Sequence, residues 1–567
     1  MSKPIRLILL SCLSFFELHA QSTNFDVAEP SSHWVRRWEV LSGHLTEQFH
    51  SGQRPFVQDK VMNFIHELED QFPTTFSQVD QANMKWIQSM AWEYLPPDKK
   101  WIAYSKKIGP KDIYRRKADF LSTEKPDFII KASPIFHFQG GREFSPEFDP
   151  QTAFVNTRGA EVRALVNQKL GFYSRFTENQ QTNWLQTRDF IRQYNGNPYL
   201  GFVKVLNGDT VRLGSDFIDA RGYIAFRPLK NIELSFGHDK NFIGHGIRSM
   251  ILSNFSAPYL QLRSQIDLGK IKYSSIFAQL SNAQIPRSVN GETQIPPKYM
   301  TFHRISAQIT RQFQLAFSEL VIFGNRPLGF DLNYLNPVIF YRFVEGFLGS
   351  PDNVMVSSDF RWNIKKRVTL HGQFVLDELK IREFQADGWW AKKFSYQVGG
   401  TYYNLFGIQN VDLQLEYNRA RPYMYSHFSS FSNAVHYNLP LAHPLGANFG
   451  EVLGRIVAQP TPKWFIELTG MYYMKGVDND LANWGGNILR LNGSFRVRDF
   501  GNVVGQGIRE QVSLFQAKVS YQLRTNVFLD AEATHRRRAV PVVTELYPST
   551  YFSVGFRMNT WPGNHVY

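Results

Sequence analysis

The 567-residue chain carries one cysteine, Cys12, so no internal disulfide framework is available to it. It has no mature stretch of about 18 consecutive apolar residues, which excludes a helical membrane protein. His-Glu-x-x-His is absent, and no Gly-x-Ser-x-Gly sits between a strand and a helix, so the commonest metalloprotease and hydrolase signatures are missing. The chain has no deficit of aromatics: 48 Phe, 25 Tyr and 12 Trp make 15% of it, a load that a disordered chain does not carry. Mean hydropathy is nevertheless low, at −0.32. A transmembrane β-barrel reconciles the two, because its strands alternate between lipid and lumen.

The N-terminus sets the compartment. A basic start (Lys3, Arg6), an apolar run over Leu7–Phe16 and a small-residue exit at Ala20 form a secretory signal peptide over residues 1–20. Cleavage after Ala20 removes Cys12, leaving no thiol for catalysis, zinc or iron–sulfur ligation. Residues 21–120 read as a helical region. Val57, Val61, Phe64, Ile65, Leu68 and Phe72 recur at helical spacing, as do Met84, Ile87, Met90, Ala91 and Tyr94, until Pro96-Pro97 stops the run. Trp34, Trp38, Leu41 and Leu45 predict a further helix. So small a bundle needs a larger body to pack on.

From about Asp127 the period becomes two. Ile305, Ala307 and Ile309 interleave with Arg304, Ser306, Gln308 and Thr310; Val411, Leu413 and Leu415 interleave with Asp412, Gln414 and Glu416. About eighteen such segments are predicted over 127–560, among them 127–138, 160–176, 447–459, 487–497 and 550–558, many long enough to cross a bilayer as tilted strands. Tight turns such as Leu268-Gly269-Lys270 alternate with long stretches such as Gln284–Lys298 and Phe428–Pro444, the outer-membrane arrangement. Trp389-Trp390, Tyr402-Tyr403, Tyr472-Tyr473 and Phe552 suit interfacial girdles. A soluble sandwich or propeller is disfavoured, since no blade-length repeat is present and the polar faces are strongly charged. The predicted fold is mainly β: a transmembrane antiparallel barrel with a small N-terminal helical bundle.

The densest polar cluster runs from Gly237 to Arg248 and contains Gly237, Gly244 and Gly246. No helix follows at the spacing of a dinucleotide site. His238, Asp239 and His245 are sparse for a metal, and the expectation is an inward-folded loop held by Asp239, Lys240 and Arg248. Asp377-Glu378 are adjacent, so in a strand they face opposite sides and make a poor glycosidase pair. The reading is therefore non-enzymatic, with no cofactor and no metal.

Gly237 to Phe242 with Arg248-Ser249, Leu252-Ser253 and Pro258-Tyr259 resembles the core signature of the Wzi-like capsule assembly family. Glu39–Gly43, Phe49–Ser51 and Arg54-Pro55 resemble the start of its helical region. Tyr334–Val338, Phe340–Arg342, Glu345, Gly349 and Pro351–Asn353 resemble its middle, and Gln373–Leu379 and Glu416–Tyr423 its later strands. The resemblance spans about residues 34–530 and points to the branch of gliding, gut and marine bacteria. It implies an eighteen-stranded outer-membrane barrel, a helical bundle on the periplasmic side, and a lectin-like hold on nascent capsular polysaccharide.

Charge agrees with such a partner. Lys+Arg 63 against Asp+Glu 49 gives +14, suited to an acidic extracellular polysaccharide whose carboxylates or phosphates pair with arginine and whose rings stack on aromatics. Asp239, Lys240, Asn241, Arg248, Arg263, Tyr341, Arg342, Arg419, Arg421 and Tyr423 are the candidate ligand-binding residues; Arg419 and its neighbours have lumen acids such as Glu416 as the competing partners. Nucleic acid is not an expected partner, because the positive charge is dispersed. Membrane lipid and envelope assembly proteins are. A channel or transporter, or a structural part of a motility or secretion assembly, are the alternative readings.

Overall fold

The computed structural model describes residues 22–106, 113–208, 213–327, 329–336, 340–349, 352–378, 387–540, 545–562 and 566–567. The segment expected to be a signal peptide, with Cys12, lies outside them, as do Pro337, Val338, Pro351 and Leu379 of the family motifs.

Eighteen antiparallel strands close into one barrel. In chain order they are β1 (Phe128–Ser145), β2 (Phe148–Val166), β3 (Leu170–Gln181), β4 (Ser215–Leu229), β5 (Ile232–Asp239), β6 (Tyr259–Leu268), β7 (Ile271–Ser281), β8 (Pro297–Gln308), β9 (Phe313–Gly324), β10 (Asn353–Ile364), β11 (Val368–Glu378), β12 (Lys393–Tyr402), β13 (Val411–Ala420), β14 (Phe449–Thr461), β15 (Trp464–Val477), β16 (Ile508–Arg524), β17 (Val527–Val540) and β18 (Glu545–Met558). β18 returns to β1, with Val554 opposite Gly140 and Phe556 opposite Phe138, so no strand is left with an unpaired edge. In a bilayer that closure is obligatory, since hydrocarbon satisfies no backbone hydrogen bond.

The predicted number of strands holds through two compensating differences. Segment 160–176 spans the β2–β3 hairpin, so it covers parts of two strands, while 487–497 belongs to the loop between β15 and β16. In the first case the tight turn Asn167–Lys169, with Asn167 and Gln168 at positive φ, barely interrupts the alternation. In the second, the apolar residues of the segment pack within the loop; Ile488 belongs to the interior core.

Side-chain alternation follows the sequence. On β13, Asp412, Gln414, Glu416 and Asn418 are buried inward, and Leu415 is exposed. Ile305, Phe317, Phe374, Phe515, Phe552 and Val554 project outward on other strands, forming the apolar surface that lipid covers. Of the predicted girdle, Tyr472 and Phe552 lie on this surface, but Trp389, Tyr403 and Tyr473 are buried. Successive strand residues face opposite sides, so Tyr472 and Tyr473 cannot both meet lipid; Trp389 and Tyr403 lie beyond the ends of β12.

Three helices close the short-turn end: α1 (Ser31–Ser42), α2 (Gln58–Gln71) and α3 (Gln78–Met90). α3 begins with a capping box between Ser77 and Asp80, which satisfies two otherwise orphaned amide donors. α1 ends on Gly43 at φ 92°, where a side chain would be strained. The helices share one core with the barrel, in which Trp34, Trp38, Trp86 and Trp92 pack with Phe528. Polar contacts tie them to the turns: Arg37 reaches Asn404 and Asn410, Asn83 reaches Gln459, and Trp86 Nε1 donates to Asn526 at 2.8 Å.

Candidate functional site

The lumen is divided lengthwise. Along β6–β13 it is filled. The Gly237–Arg248 cluster leaves β5 and folds inward, as expected. Gly237 has φ 150°, and a Cβ there would meet the Gly222 carbonyl at 2.1 Å. Gly246 lies against the wall, where a Cβ would fall 2.4 Å from Glu416. This closeness lets Glu416 accept the backbone amides of Ile247 and Arg248 at 2.6 and 3.1 Å, while Gln373 accepts that of Met250 at 2.6 Å. A second inward segment from the β13–β14 connection joins it: Ser253 donates its amide to Leu441 at 2.7 Å. Ile243, Ile251, Leu252, Met424 and Leu441 then pack against inward residues near the long-loop strand ends, among them Ile276, Phe302 and Leu320. The Phe428–Pro444 stretch is thus a plug component.

Towards the short turns the same half holds ion pairs. Arg304 grips Asp359 with two nitrogens, one at 2.9 Å. Arg361 pairs with Glu39 of α1 and donates to the Arg36 carbonyl at 3.0 Å. Arg37 bridges Asp80 at 2.8 Å and Asp412 at 2.5 Å. A buried guanidinium is tolerated when its hydrogen bonds are met by a carboxylate in this way.

Along β1–β4 and β14–β18 a cavity of about 490 Å³ remains, within the size range of small-ligand sites. Nine Lys or Arg side chains line it against six Asp or Glu, together with Trp34, Trp86, Trp184 and Trp561. The chain's end runs up this space. Trp561 packs against Trp86 and Phe528, and Tyr567 bonds Thr187 of α4 (Leu185–Tyr194) at 2.8 Å.

Of the ten sequence-predicted residues, Lys240 and Arg248 line the cavity. Lys240 donates to the Tyr199 carbonyl at 2.8 Å, and Arg248 pairs with Glu451 at 3.1 Å and donates to the Val566 carbonyl at 2.6 Å. Burial holds the Lys240 ammonium down at about 7. The others are dispersed. Asp239 ends β5. Asn241 is buried and bonds Tyr259 and Gln261. Arg263 donates to the Pro55 carbonyl at 3.3 Å. Tyr341, at the start of α5 (Tyr341–Phe347), is buried and stacks on His303 at 4.3 Å. Arg342 beside it is exposed and pairs with Glu345 at 2.7 Å. Arg419 faces outward beside Tyr396, away from the inward Glu416; a one-residue offset in a strand reverses the side. Tyr423 is buried, its hydroxyl donating to Asn483 at 2.8 Å. No group of three His, Asp or Glu among the described residues is placed to hold a metal.

Two features escaped sequence reasoning. One is a basic–aromatic surface on the β15–β16 loop: Arg496 lies 4.1 Å over the Trp390 ring, Arg498 faces Trp484, and Phe495 and Phe500 are exposed. The half-buried Arg421 joins it by reaching the Asn502 carbonyl at 3.3 Å. The predicted strand over 487–497 obscured this surface. The other is the cavity wall itself, whose arginines come from segments far apart in sequence.

The family model for capsule assembly protein Wzi matches residues 149–546. Among solved structures, the chain is similar to Wzi of Escherichia coli, described as an outer-membrane, carbohydrate-binding β-barrel involved in group 1 capsule assembly. That match has TM-score 0.52 and 13% identity, and covers 96% of this chain and 100% of that one. OccAB1 of Acinetobacter baumannii matches at TM-score 0.41 and 9% identity, covering 76% and 96%. OprD of Pseudomonas aeruginosa matches at 0.39 and 9%, covering 77% and 95%. No curated protein matches the sequence.

Proposed function

Because the chain belongs to the Wzi capsule assembly family, we propose that it is a non-enzymatic outer-membrane barrel that holds capsular or other acidic extracellular polysaccharide at the cell surface. A signal peptide over residues 1–20 exports it, and residues 21–120 cap the periplasmic end of the barrel formed by 127–560. The motif resemblance to the gliding, gut and marine branch is part of this reading. In outer-membrane barrels the short turns lie in the periplasm and the long loops outside, so the surface around Arg421, Arg496, Arg498 and Trp390 faces the polymer. Exposed Arg342 and Arg419 extend it along the rim. Guanidinium groups next to ring faces suit uronate or phosphorylated sugars. Tyr423 serves the binding surface from beneath, as a buried support that packs on Trp390 and donates to the Asn483 carbonyl.

The observation that carries this reading is the family match, joined to a lumen filled over the β6–β13 half and capped by helices. The filled lumen also argues against the channel alternative. Deleting the gene is expected to leave polymer synthesis intact and to release polymer into the medium; unchanged cell-associated polysaccharide would defeat the proposal. Purified protein in planar bilayers is expected to give no steady large conductance, and such a conductance would favour a channel.

A further inference from the structure

Within the cavity, three arginines from separate segments converge without a carboxylate partner: Arg36 on α1, Arg54 before α2 and Arg455 on β14. Arg36 spends its hydrogen bonds on the carbonyls of Ser32 and His245, at 3.0 and 2.7 Å. Arg455 reaches the neutral Gln414 at 2.9 Å, and its Nε has no partner. Arg54 is 9% exposed. Its guanidinium lies 3.7 Å over the Phe242 ring, and its Nε and Nη2 are both buried without a partner. The carboxylates nearby are committed elsewhere: Glu39 to Arg361, Asp412 to Arg37, and Glu416 to the plug amides. Buried donors left unmet cost free energy that a bound acceptor recovers.

We infer that Arg36, Arg54 and Arg455 form an oxyanion site inside the barrel, which takes the carboxylate or phosphate group of a short sugar acid. Burial, reinforced by repulsion from neighbouring arginines, depresses the ionisation of Arg36 to about 10 and that of Arg54 well below its usual range, so these two are under electrostatic stress that an anion relieves. The cavity volume of about 490 Å³ exceeds what a lone ion needs and leaves room for a sugar ring beside the anion. The site stands apart from the outer-surface reading, because free phosphate satisfies the same donors.

The test uses the full-length protein in detergent, with heat-modifiable gel mobility as the check on folding. Calorimetric titration is done separately with galacturonate oligosaccharide, its neutral galactose counterpart and inorganic phosphate. Saturable binding of the acid sugar is expected, with no binding of the neutral one and an affinity loss of about tenfold or more in both Arg54→Gln and Arg455→Gln. Binding of phosphate alone assigns the oxyanion site to the free ion. In thermal melts, the bound probe raises the Tm of the wild type and not that of Arg54→Gln, while unliganded Arg54→Gln melts at or above the wild type because repulsion is relieved. Absence of saturable binding of either anion to folded protein, or binding unchanged in both variants, overturns the inference.

Discussion

The two halves of the lumen solve the same problem in opposite ways. Along β6–β13 the buried arginines Arg304 and Arg361 meet carboxylates supplied by β10 and α1, and the plug fills the space above them. Along β1–β4 and β14–β18 the wall is as polar, yet space remains and Arg36, Arg54 and Arg455 meet no carboxylate. Pairing within the chain makes the first half structural. The second half also pairs Arg221 with Asp219 and Arg557 with Asp530, but it leaves the three arginines Arg36, Arg54 and Arg455 without a carboxylate, which is a poor way to stabilise a fold and a direct way to hold an anion. Polarity alone therefore does not mark the ligand-binding region; the balance of charges within reach does.

The comparison predicts its largest effect in the filled half. Asp359→Ala leaves Arg304 buried and unpaired and removes the carboxylate that lies 3.4 Å from His245. A loss of about 3–5 kcal/mol is expected for breaking such a pair, read as a lower urea midpoint for the heat-modifiable form. A midpoint as high as the wild type would mean that this half is no more dependent on pairing than the other. Next in size is Gly237→Ala. The added Cβ overlaps the Gly222 carbonyl across the β4–β5 pair, and the backbone there is strained for any side chain. About 1–3 kcal/mol is expected to be lost, measured in the same assay.

The hollow half answers to pH. Glu29 lines the cavity, and burial, with Asp26 and Glu161 nearby and against the opposing pull of Arg163, raises its carboxyl to about 8. The folded chain then keeps a proton that the unfolded chain gives up near 4.5. Stability from this group is full below the lower value and falls as pH rises through the upper one. Glu29→Gln is expected to flatten the decline in Tm between about pH 4.5 and 8; an unaltered slope would place the titration elsewhere.

How far the sequence disclosed this molecule depends on whether neighbours in space are neighbours in the chain. Alternation such as Ile305/Arg304 disclosed strand and side, because period two is a local property. The spacing of Val57, Val61 and Ile65 disclosed α2 for the same reason. The inward fold of Gly237–Arg248 was legible from its glycines. What was not legible was set by closure: Arg54 and Arg455 share a cavity wall only because the short-turn end brings α1, the chain before α2 and β14 together. Loops were misread where their residues imitate strands, as in 487–497, and Tyr473 was assigned to lipid because the pair it belongs to was treated as one feature.

The smallest effect on stability, and the sharpest on assignment, belongs to the rim. Arg419 faces outward and Arg421 is half-buried beside Trp389 and Asn502, so replacing both by Ala is expected to shift stability by no more than about 1 kcal/mol, as for most surface changes. If the polymer meets the loop surface, the double variant weakens retention of acidic polysaccharide by whole cells, and Arg496→Ala with Arg498→Ala weakens it further, because these two stand over the Trp390 and Trp484 rings. Arg54→Gln leaves retention by the rim intact while weakening the cavity's anion binding about tenfold or more. Should Arg54→Gln release the polymer and the rim variants retain it, the ligand is held inside the hollow half, and the loop surface is no more than its entrance.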